Sequence, residues 1–351
     1  MNSNNWDRDA GENKYDIVAI GDTVVDAFIK LMDAHVSCRV DNTACELCMP
    51  FGSKVPYKSV DVLYGVGNSA NAAVSSARLG LKTALITYLG DDVNGRECIE
   101  SFKHEGVSTE YIKLESGKHT NYHYVLWFGD ERTILIQHET FKTNLPDIGS
   151  PKWIYLSSFG EHAISIHDEI VTFLENNPNT KLAFQPGTFQ IKLGVHRLAD
   201  IYKHTEYFCC NVEEAELILN NYSTAKPDHN IRNISHVKDL LNIIHGLGPR
   251  IVTITDGKYG AYLYVDNKYY FMSNYPDSEP PYERTGAGDA FSSTFTAMLA
   301  MDRSPEEAIT YAPINSMNVV RYIGAQKGLM TMQEIESTLI KAPADYKLKS
   351  I

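Results

Sequence analysis

The sequence predicts an α/β fold: a mostly parallel central sheet covered by helices on both faces, with a small β-sheet lid standing off it. Three observations lead there. Short apolar runs alternate with helical patterns along most of the 351 residues, as a sheet packed between helix layers requires. Residues 31–61 and 111–140 break that rhythm with short strands of alternating polarity. A tight glycine turn, Gly286-Ala287-Gly288, then opens a long apolar helical pattern late in the chain.

The elements follow in order. Residues 1–13 read as a disordered polar tail with no apolar signal-peptide core. Tyr15 to Ile20 is a buried strand closed by Gly21-Asp22. Val62 to Tyr64 is a short strand leading through Gly65-Val66-Gly67-Asn68-Ser69 into a helix over 70–79, stopped at Gly80. A strand over 83–88 and a helix over 94–104 come next. Strands are expected at 153–156, 181–184, 206–210 and 251–255, with helices at 167–175, 195–202, 212–219 and 237–245. The core is thus assigned to 14–30, 62–110 and 141–345, and the lid to the two insertions. Within the lid, Tyr122 to Trp127 and Thr133 to Ile136 read as a hairpin turning at Gly129-Asp130.

Composition narrows the partners. A hydrophobic fraction of 43% and a charged fraction of 22% are globular values, and a net charge of −12 argues against a nucleic-acid surface. No apolar run is long enough to suggest a membrane span. Six cysteines in a chain of this length do not suggest a disulfide framework. Cys45-Glu-Leu-Cys48 is a single C-x-x-C with no matching second pair, which does not favour a metal or redox role, and Cys209 and Cys210 lie in a strand-like run where packing is the default. A reducing, cytoplasmic setting is expected.

The chemistry concentrates in Glu283-Arg284-Thr285-Gly286-Ala287-Gly288-Asp289-Ala290-Phe291. A glycine turn at a helix start aims several backbone N–H groups at one point, where the helix dipole also favours negative charge. A carboxylate placed there suggests phosphoryl transfer, the amides holding the migrating charge and Asp289 taking the proton of the attacking hydroxyl. The plainer reading is a helix cap. A second rival is a dinucleotide site, because Gly65-Val66-Gly67-Asn68-Ser69-Ala70 fits G-x-G-x-x-A with Asp91 further on. That motif normally occupies the first strand–helix turn, however, and here a complete strand precedes it. Asn68 and Asn71 also suit a hydroxylated ligand better than a pyrophosphate.

These segments together resemble the PfkB, or ribokinase-like, family of sugar and nucleoside kinases, from about Tyr15 to Met330. Thr285 to Phe291 is similar to the central part of the family's D-T-x-G-A-G-D-x-F signature. Gly65 to Asn71, Asn211-Val212-Glu213-Glu214, Thr255 to Gly260 and Gly324-Ala325-Gln326 resemble its other motifs, in the family's order.

The resemblance implies a ribokinase-like three-layer α/β/α core with a β lid. It also implies transfer of the γ-phosphate of ATP to a hydroxymethyl group of a sugar. A nucleoside is the alternative acceptor, and a non-catalytic sugar-binding regulator the alternative role. It casts Asp289 as base and Gly286, Ala287 and Gly288 as the anion hole. Asp26, Gly67 and Asn71 would hold the acceptor. Asn211, Glu214, Thr255, Gly257, Gly260 and Asn315 would serve the nucleotide, with Glu214 reaching Mg²⁺ through water. The family's first acid helps form a monovalent-cation site. Glu283-Arg284 stands where Asp-Thr is usual, which leaves K⁺ activation open. The lid would also support a homodimer.

Overall fold

The computed structural model describes residues 14–38, 45–129, 131–220, 234–276 and 281–351. The tail at 1–13 and Asp130 of the expected hairpin turn lie outside them.

The main sheet has ten strands. From one edge run Ile112–Glu115, Thr83–Gly90, Ile17–Ile20, Trp153–Leu156, Lys181–Phe184, Thr205–Asn211 and Ile251–Thr255, all parallel. Ala261–Val265, Lys268–Met272 and Lys349–Ser350 complete it antiparallel. The central strands are near-continuous apolar runs because both of their faces are covered. Ile17 and Ala19 enter one core, while Val18 and Ile20 enter the other. The side-chain period of two therefore feeds two helix layers from one strand.

The antiparallel edge was not foreseen. Its signal was Val265-Asp266-Asn267-Lys268, where Asp266 and Asn267 take φ of 49° and 60° in a tight hairpin turn. The single helix expected at 195–202 is instead two short ones, Thr188–Leu193 and Ala199–His204. Gly194, with φ 80°, ends the first.

The lid is a four-stranded sheet ordered Tyr57–Val66, Val24–Leu31, Tyr122–Phe128, Glu131–Leu135. Its boundaries correct the sequence expectation. Val24–Leu31 and all of Tyr57–Val66 join the lid, whereas Ile112–Glu115 joins the main sheet. Strand propensity shows that a strand forms but not which sheet takes it, and Val24, Val25, Phe28 and Ile29 are strand formers just after the Gly21 turn.

A further correction concerns the cysteines. Cys38 and Cys45 are joined in a disulfide, and Cys48 is free. This departs from the sequence expectation of thiols without a disulfide framework. His35–Ser37 and Glu46–Cys48 pair antiparallel with Ser37 opposite Glu46, which brings residues 38 and 45 together at the strand ends.

Candidate active site

The inner face of the lid closes over the carboxyl ends of the parallel strands, where ligands of open α/β sheets bind. Between them lies a cavity of about 620 Å³ lined by Asp22, Asp26, His123, His138, Thr285 and Asp289, among others.

Asp289 sits in the first turn of the Ala287–Ala300 helix. The preceding Gly286 is left-handed, with φ 81°, and a Cβ there would lie 2.3 Å from that of Ala325. Only glycine fits such a position. The first N–H groups of the helix have no intrahelical acceptor, and Gly288 is exposed at the helix mouth. Three side-chain amides converge on the Asp289 carboxylate. Asn68 Nδ2 donates to Oδ1 at 2.9 Å, Asn71 Nδ2 to Oδ2 at 2.8 Å, and Gln185 Nε2 to Oδ1 at 3.1 Å. Burial pushes the Asp289 carboxyl above its ordinary pKa, and the three donors oppose that push.

Asn68 and Asn71 open the Asn68–Arg78 helix, which packs against the Ala287–Ala300 helix. Gly67, with φ 121°, permits the turn, and a Cβ there would come 2.7 Å from the Asp22 carbonyl. Asn71 was expected to face a ligand. Its amide is committed to Asp289, and its Oδ1 accepts from Gln326 Nε2 at 3.0 Å.

Asp26 and His123 are register partners on adjacent lid strands, so both side chains share the inner face. His123 Nδ1 lies 3.4 Å from Asp26 Oδ1. The buried His123 Nε2 has no hydrogen-bond partner. Nearby, Asp22 accepts from the Gly160 N–H at 2.7 Å, with His138 Nδ1 3.8 Å away. Burial raises the Asp22 carboxyl to about 7, while the Gly160 bond and the His123 charge pull it down.

Asn211 and Glu214, expected at the nucleotide, form a reciprocal cap on the Val212–Asn220 helix. The Asn211 N–H donates to Glu214 Oε2 at 2.9 Å, and the Glu214 N–H to Asn211 Oδ1 at 2.8 Å. Burial chiefly, with the Asp289 charge adding to it, raises the Glu214 carboxyl. Among the described residues, no cluster of three or more His, Cys, Asp or Glu could hold a metal alone. Thr255 ends its strand. Gly257 and Gly260 bound the following 3₁₀ turn with φ of 49° and 110°, and a Cβ on Gly260 would meet the Met272 carbonyl at 2.5 Å. Asn315 does not join them. It is fully buried, Nδ2 donating to Thr294 Oγ1 at 2.8 Å and Oδ1 accepting from the Met330 N–H at 2.9 Å. Its amide is spent on packing, which corrects the expected base contact.

Arg132, Gln185, His123 and His138 escaped the sequence reading as site residues, and Glu283 entered it only through the question of K⁺. Glu283 is buried. Its Oε1 accepts from Arg132 Nη1 at 2.7 Å and from the Thr285 N–H and hydroxyl at 2.8 and 2.5 Å. Arg284 is exposed. No sequence pattern flagged the lid contacts, because Arg132 and His123 are joined to the core only by folding.

The lidded α/β core and its cleft define a ribokinase-like fold of the kind used by phosphotransferases. Residues 38–332 match the pfkB family carbohydrate kinase model, and the chain belongs to that family. It is 26% identical to a ribokinase of Bacillus subtilis over 284 residues, 78% of this chain and 87% of that protein. Cryptococcus neoformans ribokinase in complex with ADP superimposes with a TM-score of 0.75 at 19% identity, covering 92% of this chain and 98% of that one. The nucleoside kinase of Methanocaldococcus jannaschii gives 0.71 at 17% identity, covering 93% and 98%. The chain is therefore a sugar kinase of the PfkB type, an enzyme. Among the described residues, no helix is long and apolar enough to cross a membrane.

Proposed function

We propose that the chain transfers the γ-phosphate of ATP to a hydroxymethyl group of a sugar, with Asp289 as base. One observation carries this reading: a buried carboxylate, held by three amides, opens onto the cavity in the first turn of a helix. The acceptor hydroxyl would lie against Asp289, with Asp26, Gly67 and His123 around the rest of the sugar. The Gly286, Ala287 and Gly288 amides would hold the charge of the migrating phosphoryl group. A loose transition state calls for the proton late, so an aspartate suffices as base.

Asn211, Glu214, Thr255, Gly257 and Gly260 would flank the nucleotide. Glu214 would hold Mg²⁺ through water, and the ion supplies charge neutralisation to the polyphosphate. Arg132 already gives Glu283 a positive partner, which supports turnover without K⁺. The outer lid face exposes Val60, Val62, Tyr124 and Leu135, an apolar surface that supports a homodimer through the lid. Use of ATP and four unbonded cysteines support a cytoplasmic setting, while the Cys38–Cys45 disulfide points the other way.

A nucleoside acceptor is the second reading. Phe159, Phe189 and Ile136 in the cavity wall favour it, since a base could pack there. The test is a coupled ADP-release screen with ribose, fructose, 2-keto-3-deoxygluconate, adenosine, inosine and cytidine, run beside Asp289→Asn. The variant should lose at least ~10²-fold in kcat with little change in ATP KM. Near-normal turnover would remove Asp289 from its role. Ligand binding without ADP release would leave a regulator instead.

A further inference from the structure

We infer that Gln185 is a positioning residue that fixes the Asp289 carboxylate from the sheet side and keeps it ionised; this rests on Asp289 acting as the base. The two asparagines on Asp289 come from one helix start. Gln185 is the third donor and comes from elsewhere, immediately after the Lys181–Phe184 strand. Its backbone is pinned on both sides. The Gln185 N–H donates to the Leu156 carbonyl at 3.0 Å, and Ser157 Oγ donates to the Gln185 carbonyl at 2.9 Å. The catalytic helix is thereby tied to the rigid middle of the sheet.

The two ends of the amide are not interchangeable. Gln185 Oε1 accepts from the Tyr155 hydroxyl and from Ser292 Oγ, the latter at 2.9 Å. Its Nε2 is then directed at Asp289 Oδ1. The reverse orientation would set a carbonyl oxygen against the carboxylate. Tyr155 and Ser292 are fully buried and also bond to one another, so the three groups form a cluster closed to water, and Asp289 is left as the only acceptor facing the Gln185 amide nitrogen in it. Burial and the Asp289 charge also keep the Tyr155 phenol protonated. Asp289 thus meets a donor whose direction is set before the acceptor arrives, at a site where burial works against its charge.

Two variants of the full chain test this. Gln185→Met keeps the volume and removes the donor. Gln185→Glu keeps the shape and sets a second acid beside the first, so that the pair shares protons. Both should move the acid limb of the kcat–pH profile upward, by about one unit for Met and more for Glu. ATP KM should stay within about twofold, and kcat at neutral pH should fall about tenfold, recovering at alkaline pH in the Glu variant. Infrared titration of the Asp289 carboxyl, taken as a difference against Asp289→Asn, reads the same shift without turnover. A lowered kcat with the limb and the infrared midpoint unmoved would overturn the proposal. If the unaltered chain turns over no acceptor, the kinase reading fails, and the infrared midpoint still decides the claim about Gln185. Melting temperatures check folding, and Gln185→Glu, nearly isosteric, remains decisive if Gln185→Met does not fold.

Discussion

Arg132 of the lid and Glu283 of the core meet at 2.7 Å, and the carboxylate oxygen that joins them also accepts from Thr285, the residue before the glycine turn. Lid position and the geometry of the helix mouth are therefore read through one atom. Arg132 pairs across the hairpin with Trp127, which packs edge-on against Tyr282 at 5.2 Å. The contact is a small interface between lid and core.

Arg132→Gln should raise acceptor KM about three- to tenfold by loosening lid closure, and lower kcat as Thr285 loses its fixed partner. Steady-state kinetics in both substrates would show it. An unchanged acceptor KM would mean that the pair is only a surface contact, as many ion pairs are.

The same pair bears on monovalent cations. Rates in potassium chloride and choline chloride at equal ionic strength should agree for the unaltered chain, since a guanidinium already balances Glu283. With Arg132→Gln the carboxylate loses that charge, and a K⁺ dependence should emerge. A large K⁺ activation of the unaltered chain would contradict this account.

Two glycines separated by one residue should behave differently. At Gly286, a Cβ combines a 2.3 Å clash with a left-handed φ, so Gly286→Ala should destabilise folding by about 2 kcal/mol or more. At Gly288 the nearest atom to a Cβ is Gln185 Nε2 at 3.8 Å, so Gly288→Ala should fold normally. Gly288→Val should also fold, yet lose most turnover by crowding the helix mouth. Thermal melts beside kcat separate the two effects. Equal melting losses at both positions would contradict the assignment.

Much of this was legible because local chemistry carried it. The alternation of apolar runs and helices gave the layers, and Asp289 with its glycine turn was visible from residue types alone. What stayed hidden was what folding brings together. Nothing local shows that Gln185 faces Asp289, a hundred residues away, or that Arg132 crosses to Glu283. Asn211 and Glu214 illustrate a different limit. Their spacing signals a helix cap and a nucleotide contact equally, and the structure displays the cap. Asn315 was carried over from the family resemblance alone, and the structure has it satisfied inside the core instead.

His123 offers a sharper test of the acceptor side. A buried ring nitrogen with no partner is unfavourable by about 1–3 kcal/mol unless something bonds to it, and a sugar hydroxyl would meet that need. His123→Phe should therefore raise acceptor KM about tenfold or more while ATP KM stays unchanged. Its stability without ligand should change little, because the variant removes the unmet nitrogen but also the ring beside Asp26. A rise in ATP KM alone would move His123 out of the acceptor site.

Asp22 makes stability depend on pH with a definite sign. Its carboxyl stands at about 7 in the folded chain against an ordinary 3.8. Between those values the folded chain keeps a proton that the unfolded chain releases. Stability is then unaffected by this group below about pH 4, declines as pH rises toward 7, and carries the full penalty above it. Asp22→Asn removes the ionisable oxygen and keeps an acceptor for the Gly160 N–H. The variant should match the parent near pH 4 and be more stable at pH 8, by on the order of 2 kcal/mol once local relaxation is allowed for. Denaturant melts at the two pH values measure the difference directly. A gain that is the same at both, or larger at the acidic one, would show that the carboxyl is ionised throughout and that the lid histidines, with Gly160, offset its burial.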